Sequence, residues 1–181
     1  MSRNRVRIIG GAWKSRLIVF PQKKDLRSTP DRVRETFFNW LGQDLTGAAC
    51  LDLFAGSGAL GFEAASRGAR RVVMVERDPA ILRSLAAASE ELEAGAVNLV
   101  RADALEFLRT DRGVYDVVFV DPPFAAGYWP RLAPLLPPRL APEGMVYHES
   151  AHCPETSPEW EIRKRGRAGK VSYQLLGRAQ P

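Results

Sequence analysis

The chain has 181 residues, a formal net charge of +5 and two cysteines, which excludes a disulfide-built secreted fold and leaves room for one domain with its own core. Hydrophobic residues make up 45% and charged residues 26%, an ordinary balance for a soluble protein, and no apolar run is long enough to span a bilayer. Charge is unevenly spread: residues 1–34 hold ten Lys/Arg against two Asp, residues 35–159 ten against eighteen acids, and residues 160–181 six against one. Basic ends around an acidic middle suggest a polyanionic partner; basic tails that merely solvate the molecule are the alternative. The start, residues 1–7, is too basic for a signal peptide, so a cytoplasmic protein is expected.

In chain order, residues 5–9 alternate apolar and cationic, Gly10-Gly11 punctuates, and residues 13–20 are extended and apolar. That pattern predicts a hairpin on a glycine turn whose polar positions are almost all cations. Residues 21–28 read as a basic loop. Thr29-Pro30 predicts an N-cap and first helical position, and a helix to about residue 41 puts Val33, Phe37, Trp40 and Leu41 on one face. Arg32, Arg34 and Glu35 fall off that stripe, and Gly42 ends it.

Residues 49–54 form a short apolar run broken by Asp52, followed by the turn Ala55-Gly56-Ser57-Gly58 and a helix over 59–67. Strand, glycine turn and helix open a nucleotide-binding unit. Glycines let the backbone approach a ligand, and the helix N-terminus offers unpaired N–H groups. Strands follow over 71–76, 97–101, 116–120 and 144–149, with helices over 80–94 and about 104–109 between them. Asp78-Pro79 caps the first of these helices. Four prolines over 128–140 predict only short or broken helix. Residues 160–164 and 171–176 alternate around the glycines at 166 and 169, a closing hairpin. The sum is an α/β, Rossmann-like, doubly wound and mostly parallel sheet with an antiparallel hairpin at its edge.

Gly56, Gly58 and Gly61 also satisfy G-x-G-x-x-G, so a nicotinamide-dependent oxidoreductase competes with a methyltransferase. Glu76 ends the second strand of the unit, where a carboxylate accepts from ribose hydroxyls. Asp103 ends the third, either to meet an adenine amino group or to cap the next helix. The stretch Asp121-Pro122-Pro123-Phe124 decides between cofactors. Proline has a carbonyl but no N–H, so Pro122 and Asp121 give two acceptors able to hold both hydrogens of a planar amine. Phe124 offers a face on which a base stacks. Cys50, on a strand, reads as packing. His148, His152 and Cys153 make a poor metal set, and the expectation is surface residues and no metal.

These residues resemble class I S-adenosylmethionine methyltransferases with an Asp/Asn-Pro-Pro-aromatic motif. More closely, they resemble the bacterial 16S ribosomal RNA guanine-N2 methyltransferases that modify guanine 966. The likeness rests on Arg7-Ile8-Ile9-Gly10-Gly11-x-Trp13, Asp31-Arg32-Val33-Arg34-Glu35-Thr36, Phe38-Asn39-Trp40-Leu41, residues 51–61 and residues 118–124. It implies a seven-stranded sheet with residues 1–43 as a basic, RNA-facing extension and 44–181 as the methyltransferase domain. It implies S-adenosylmethionine held by Asp52, Phe54, Ala55, Gly56, Ser57, Gly58, Glu76, Arg77, Asp103, Ala104 and Asp121. Asp121, Pro122, Pro123 and Phe124 would take the guanine amine. Arg5, Arg7, Lys14, Arg16, Arg32, Arg34 and Tyr128 would face the RNA, with Arg32 or Arg34 pairing either a phosphate or the cofactor carboxylate. The implied partner is 16S rRNA in the small ribosomal subunit, met by a monomer; adenine N6 is the runner-up target.

Overall fold

Alternating apolar runs and capped amphipathic stretches fold into one seven-stranded sheet with helices on both faces and a separate two-stranded ribbon. The computed structural model describes residues 3–23, 26, 29–123, 127–151 and 158–179. The ribbon pairs β1 (Arg3–Arg7) with β2 (Leu17–Pro21), antiparallel, and α1 (Asp31–Leu41) follows. Then come β3 (Ala49–Asp52), α2 (Ala59–Ser66), β4 (Arg71–Val75), α3 (Pro79–Glu91), β5 (Val97–Val100), α4 (Ala104–Thr110) and β6 (Tyr115–Val120). The chain ends with α5 (Trp129–Leu132), β7 (Leu140–Ser150), β8 (Trp160–Ala168) and β9 (Val171–Arg178). The sheet order is β5-β4-β3-β6-β7-β9-β8.

The first five strands are parallel, and β9 runs antiparallel between β7 and β8. The expected hairpin does close the sheet edge, β9 beside β7 and β8 outermost, with only β9 reversed. Its turn lies at Gly169, with φ 60°. Gly166 sits within β8, where a side chain would strike the Tyr173 ring.

Period-two alternation sends strand residues to two cores. Cys50, Met74, Phe119 and Tyr147 face α1, α2, α3 and the ribbon; Leu51, Val75, Val118 and Val146 face α4 and α5. Cys50 is buried, its thiol pushed up to about 12 by desolvation, as its packing role requires. Val6, Ile8, Ile18 and Phe20 of the ribbon join the first core, while Arg5, Arg7, Lys14 and Arg16 stay exposed. Among the described residues no helix is long and apolar enough to cross a membrane.

Three local expectations are corrected. The Gly10-Gly11 pair is no tight turn, because the loop docks on the end of α2: Ala12 N–H donates to the Ser66 carbonyl at 2.7 Å, and a Cβ on Gly11 would lie 1.9 Å from that oxygen. Residues 13–16 accordingly belong to that loop, and the returning strand begins at Leu17. Thr29 does not cap α1; Pro30 does so without a side-chain bond, because the Thr29 hydroxyl is used elsewhere. The buried stripe of α1 is Val33, Arg34, Phe37 and Phe38, with Trp40 and Leu41 only half-buried. Gly42 closes the helix at φ 100°, as expected.

Candidate active site

The carboxyl ends of the parallel strands open on one cavity of about 1040 Å³, the crevice where ligands of open α/β sheets bind. Its floor is the turn after β3. Gly56 adopts φ 49°, and a Cβ there would lie 3.0 Å from Leu26, so only glycine keeps this space open. The Gly56 N–H donates to Glu76 Oε2 at 3.1 Å, and Glu76 Oε1 accepts from Asp78 N–H at 2.8 Å. The acid after β4 thus fixes the turn while facing the cavity. Of its two readings Asp103 fulfils the cap, Oδ1 accepting from Leu105 and Glu106 N–H, and the residue also lines the cavity.

Of the expected cofactor set, Asp52, Phe54, Ala55, Gly56, Ser57, Glu76, Arg77, Asp103, Ala104 and Asp121 line this cavity. Gly58 stands behind it, at φ 83°, where a Cβ would strike Phe62 and Leu85. Gly61 packs on Met74 of β4, so close packing, helix on strand at Gly61 and against helix side chains at Gly58, accounts for two of the three glycines in the G-x-G-x-x-G match. The α2 terminus does not offer a full set of free donors. Asp52 Oδ2 accepts from Gly61 N–H at 3.1 Å and Ser57 Oγ from Ala59 N–H at 3.3 Å.

Across the cavity, Asp121, Pro122 and Pro123 follow β6, with Tyr128, which meets Phe54 edge-on at 5.0 Å, on the same lining. Phe124 lies outside the described residues, as do His152 and Cys153. Thr29 Oγ1 donates to Asp121 Oδ2 at 3.1 Å. Glu149, at the end of β7, lines the same wall and accepts from the Tyr147 hydroxyl at 2.7 Å. Burial raises the Asp121 carboxyl well above the usual range, and the Glu149 charge raises it further. Burial also raises Glu149 and lifts Asp52 to about 7. The site therefore holds basic carboxyls, better proton acceptors than ordinary ones.

Arg34 is the main correction among the residues expected to face RNA. It is 0% exposed, and its guanidinium bonds Glu63 at 3.1 Å, Asp31 at 2.6 Å and the carbonyls of Arg7 and Thr29. So buried and engaged, it is not presented at the surface; it holds the carbonyl of Thr29, whose hydroxyl donates to Asp121. Arg32 is exposed on α1. His148 is also buried, against the surface expectation, its ring tilted against Trp129 at 4.2 Å and its pKa pushed down to about 4 by desolvation. No group of three or more His, Cys, Asp or Glu among the described residues could hold a metal ion.

Sequence reasoning missed Thr29, Leu26, Val171 and Glu149 as cavity residues. Only Glu149 carried a signal: like Asp121, it is an acid at a strand end, two residues beyond an inward-facing aromatic. A second depression of about 440 Å³ lies between the Gly10-Gly11 loop and α1, and Glu35 and Asn39 of the N-terminal motifs line it with the loop.

The strand order, the glycine floor and the acids at the strand ends define an α/β methyltransferase. The solved structure of a putative methyltransferase from Escherichia coli has the same fold, with a TM-score of 0.87 at 42% identity, covering 98% of this chain and 100% of that one. The family described as "Conserved hypothetical protein 95" matches residues 6–177. The ribosomal RNA small subunit methyltransferase D of E. coli K12 is 41% identical over 178 residues, 96% of this chain and 90% of that one. Its namesake in Haemophilus influenzae is 37% identical, over 96% and 94%. The chain belongs to this family.

Proposed function

We propose that the protein methylates the exocyclic N2 amine of a guanine, of the guanine 966 type, in 16S rRNA of the small ribosomal subunit, using S-adenosylmethionine. The observation that carries the reading is one cavity in which the Gly56–Glu76 floor faces the Asp121-Pro122-Pro123 rim. The names of the relatives supply the ribosomal RNA of the small subunit, and the N-terminal motifs supply the resemblance that points to this guanine. The cofactor fits the acceptors present: Glu76 for the ribose, the uncapped oxygen of Asp103 for the adenine, and the glycine floor for close approach. When bound it supplies an electrophilic methyl on a sulfonium.

The protein's own part is positioning. Asp121 and the Pro122 carbonyl hold the two amine hydrogens and turn the nitrogen lone pair toward the methyl. The raised basicity of Asp121 lets it hold the proton the amine sheds as the new N–C bond forms. The base leaves its stack to enter, and Tyr128 offers it an aromatic edge. Residues 1–43 act as the RNA-facing part: Arg5 and Arg7 stand on the exposed side of a ribbon whose apolar side is buried, and Lys14 and Arg16 are exposed on the loop that joins its strands.

The test is transfer of labelled methyl to small subunits that lack the modification, with the labelled nucleotide mapped by mass spectrometry. Label on guanine N2 is expected; label on adenine N6 or on a pyrimidine overturns the reading. Tryptophan quenching by S-adenosylhomocysteine and not by NADH separates it from a dehydrogenase.

A further inference from the structure

Strands β6 and β7 run parallel with Phe119 opposite Tyr147 and Val120 opposite His148. One step further along both chains stand Asp121 and Glu149, side by side at about one strand spacing of ~4.8 Å. Both line the cavity. Each carboxyl has one oxygen fixed by a hydroxyl, Asp121 Oδ2 by Thr29 and Glu149 Oε2 by Tyr147. That leaves Oδ1 and Oε1 to turn toward a ligand. Arg34, which donates to the Thr29 carbonyl, is already taken by Glu63 and Asp31. Neither acid joins an ion pair among the described residues.

Two buried carboxyls side by side repel each other when charged: burial raises both, and the Glu149 charge raises Asp121 further. What relieves such a pair is a ligand edge with two adjacent donors. The Watson–Crick edge of guanine has that pattern: the N2 amine and, beside it, the ring N1–H. Adenine offers an amine beside a bare N1 lone pair, which would face a carboxylate oxygen and be repelled.

We infer that Glu149 selects the base, its Oε1 accepting the N1–H of a guanine whose N2 amine is held by Asp121. This rests on the guanine-N2 reading above and assigns the discrimination against other amino bases to a residue outside the Asp-Pro-Pro motif. The neighbouring Tyr147 hydroxyl keeps the carboxyl in place, so Glu149 meets the base already oriented. Specificity of this kind comes from the partner a wrong base leaves unmatched as much as from the bond the right base makes.

2-Aminopurine is the discriminating probe, because it keeps the reactive 2-amine and lacks the N1–H. Small subunits are reconstituted around 16S rRNA ligated to carry guanine or 2-aminopurine at the methylated position, and kcat/KM is measured for each. Wild type should prefer guanine roughly 10- to 100-fold, the range of one hydrogen bond to a charged group. Glu149→Gln, whose amide can accept from one base or donate to the other, should bring the two within a few fold. Its affinity for S-adenosylhomocysteine, read by calorimetry, should stay unchanged. A wild-type ratio near one overturns the inference even if the variant fails to fold. A ratio untouched by Glu149→Gln, or one untouched while cofactor affinity falls, overturns it as well and assigns Glu149 to the cofactor. In all three cases guanine is still methylated and the reading beneath survives. No methylation of the guanine subunits by wild type defeats that reading and the inference together.

Discussion

Two regions of this molecule bury acids, and they treat them oppositely. Inside the N-terminal layer, Glu63 is wholly buried and fully matched: Oε2 accepts from Arg34 and from Ile9 N–H at 2.9 Å, and Oε1 from Arg67 at 3.0 Å. At the strand ends, Asp52, Asp121 and Glu149 face one cavity with hydroxyl and amide partners and no ion pair among the described residues. Matched charge ties ribbon, α1 and α2 into one body. Unmatched acid is kept ready for something else to match. Breaking a matched buried pair strands its partners, whereas neutralising an unmatched acid removes a strain and the function with it.

The sharpest way to break this contrast is Glu63→Ala. It leaves two buried guanidinium groups and the Ile9 N–H without their acceptor, and should destabilise the fold by about 3–5 kcal/mol in urea titration. A loss below about 1 kcal/mol would show that the network is incidental. Asp121→Ala should do the reverse, lowering turnover about 10²- to 10³-fold while S-adenosylhomocysteine still binds and the fold keeps its melting temperature. Comparable turnover at saturating RNA and cofactor would remove Asp121 from the chemistry.

Glu76→Ala should weaken S-adenosylhomocysteine binding by about 1.5–3 kcal/mol, read by calorimetry. Because the carboxylate also holds Gly56, part of that loss belongs to a loosened turn. Unchanged affinity would end the ribose role.

Acidity sharpens the same contrast. The folded Asp52 carboxyl titrates near 7, above its ordinary 3.8, because burial disfavours its charge. Its contribution to stability is therefore fully present below about pH 4 and is lost as pH rises through about 7. Asp52→Asn should flatten the decline in melting temperature between those values, and an unchanged slope would refute it.

The smallest effect on stability falls on the ribbon. Neutralising Arg5, Arg7, Lys14 and Arg16 together removes exposed charges, of which only Arg16 pairs among the described residues, with Glu91 at 3.7 Å. The fold should lose less than about 1 kcal/mol. The log–log salt slope of subunit binding should drop by roughly 0.7–0.9 for each phosphate contact removed. Parallel lines of equal affinity would make the ribbon a solvated surface.

What was legible in the sequence was local. The turn at 55–58, the Asp78 cap and the Gly42 stop depend on residues a few positions apart, and the sheet follows from runs bounded by breakers. What was hidden depends on distant partners. Arg34 reads as an off-stripe surface cation until Glu63, 29 residues on, draws it inward. Thr29 reads as a helix cap until Asp121, 92 residues on, takes its hydroxyl. His148 looked exposed because its neighbours Trp129 and Gln174 arrive from other elements. The carboxyl pair at 121 and 149 needs the β6–β7 register, which no local pattern states.

The placement of β9 also bears on how the protein is born. β8 leaves the ribosome before β9, yet it cannot join the sheet until β9 has slipped between it and β7. During synthesis the long strand β7 therefore waits with one edge bare, a template for pairing with another chain. Val171, which begins β9, also completes the cavity wall. A nascent chain halted within residues 160–170 would carry every Asp-Pro-Pro and glycine-turn residue and still have neither a sealed sheet nor a finished pocket.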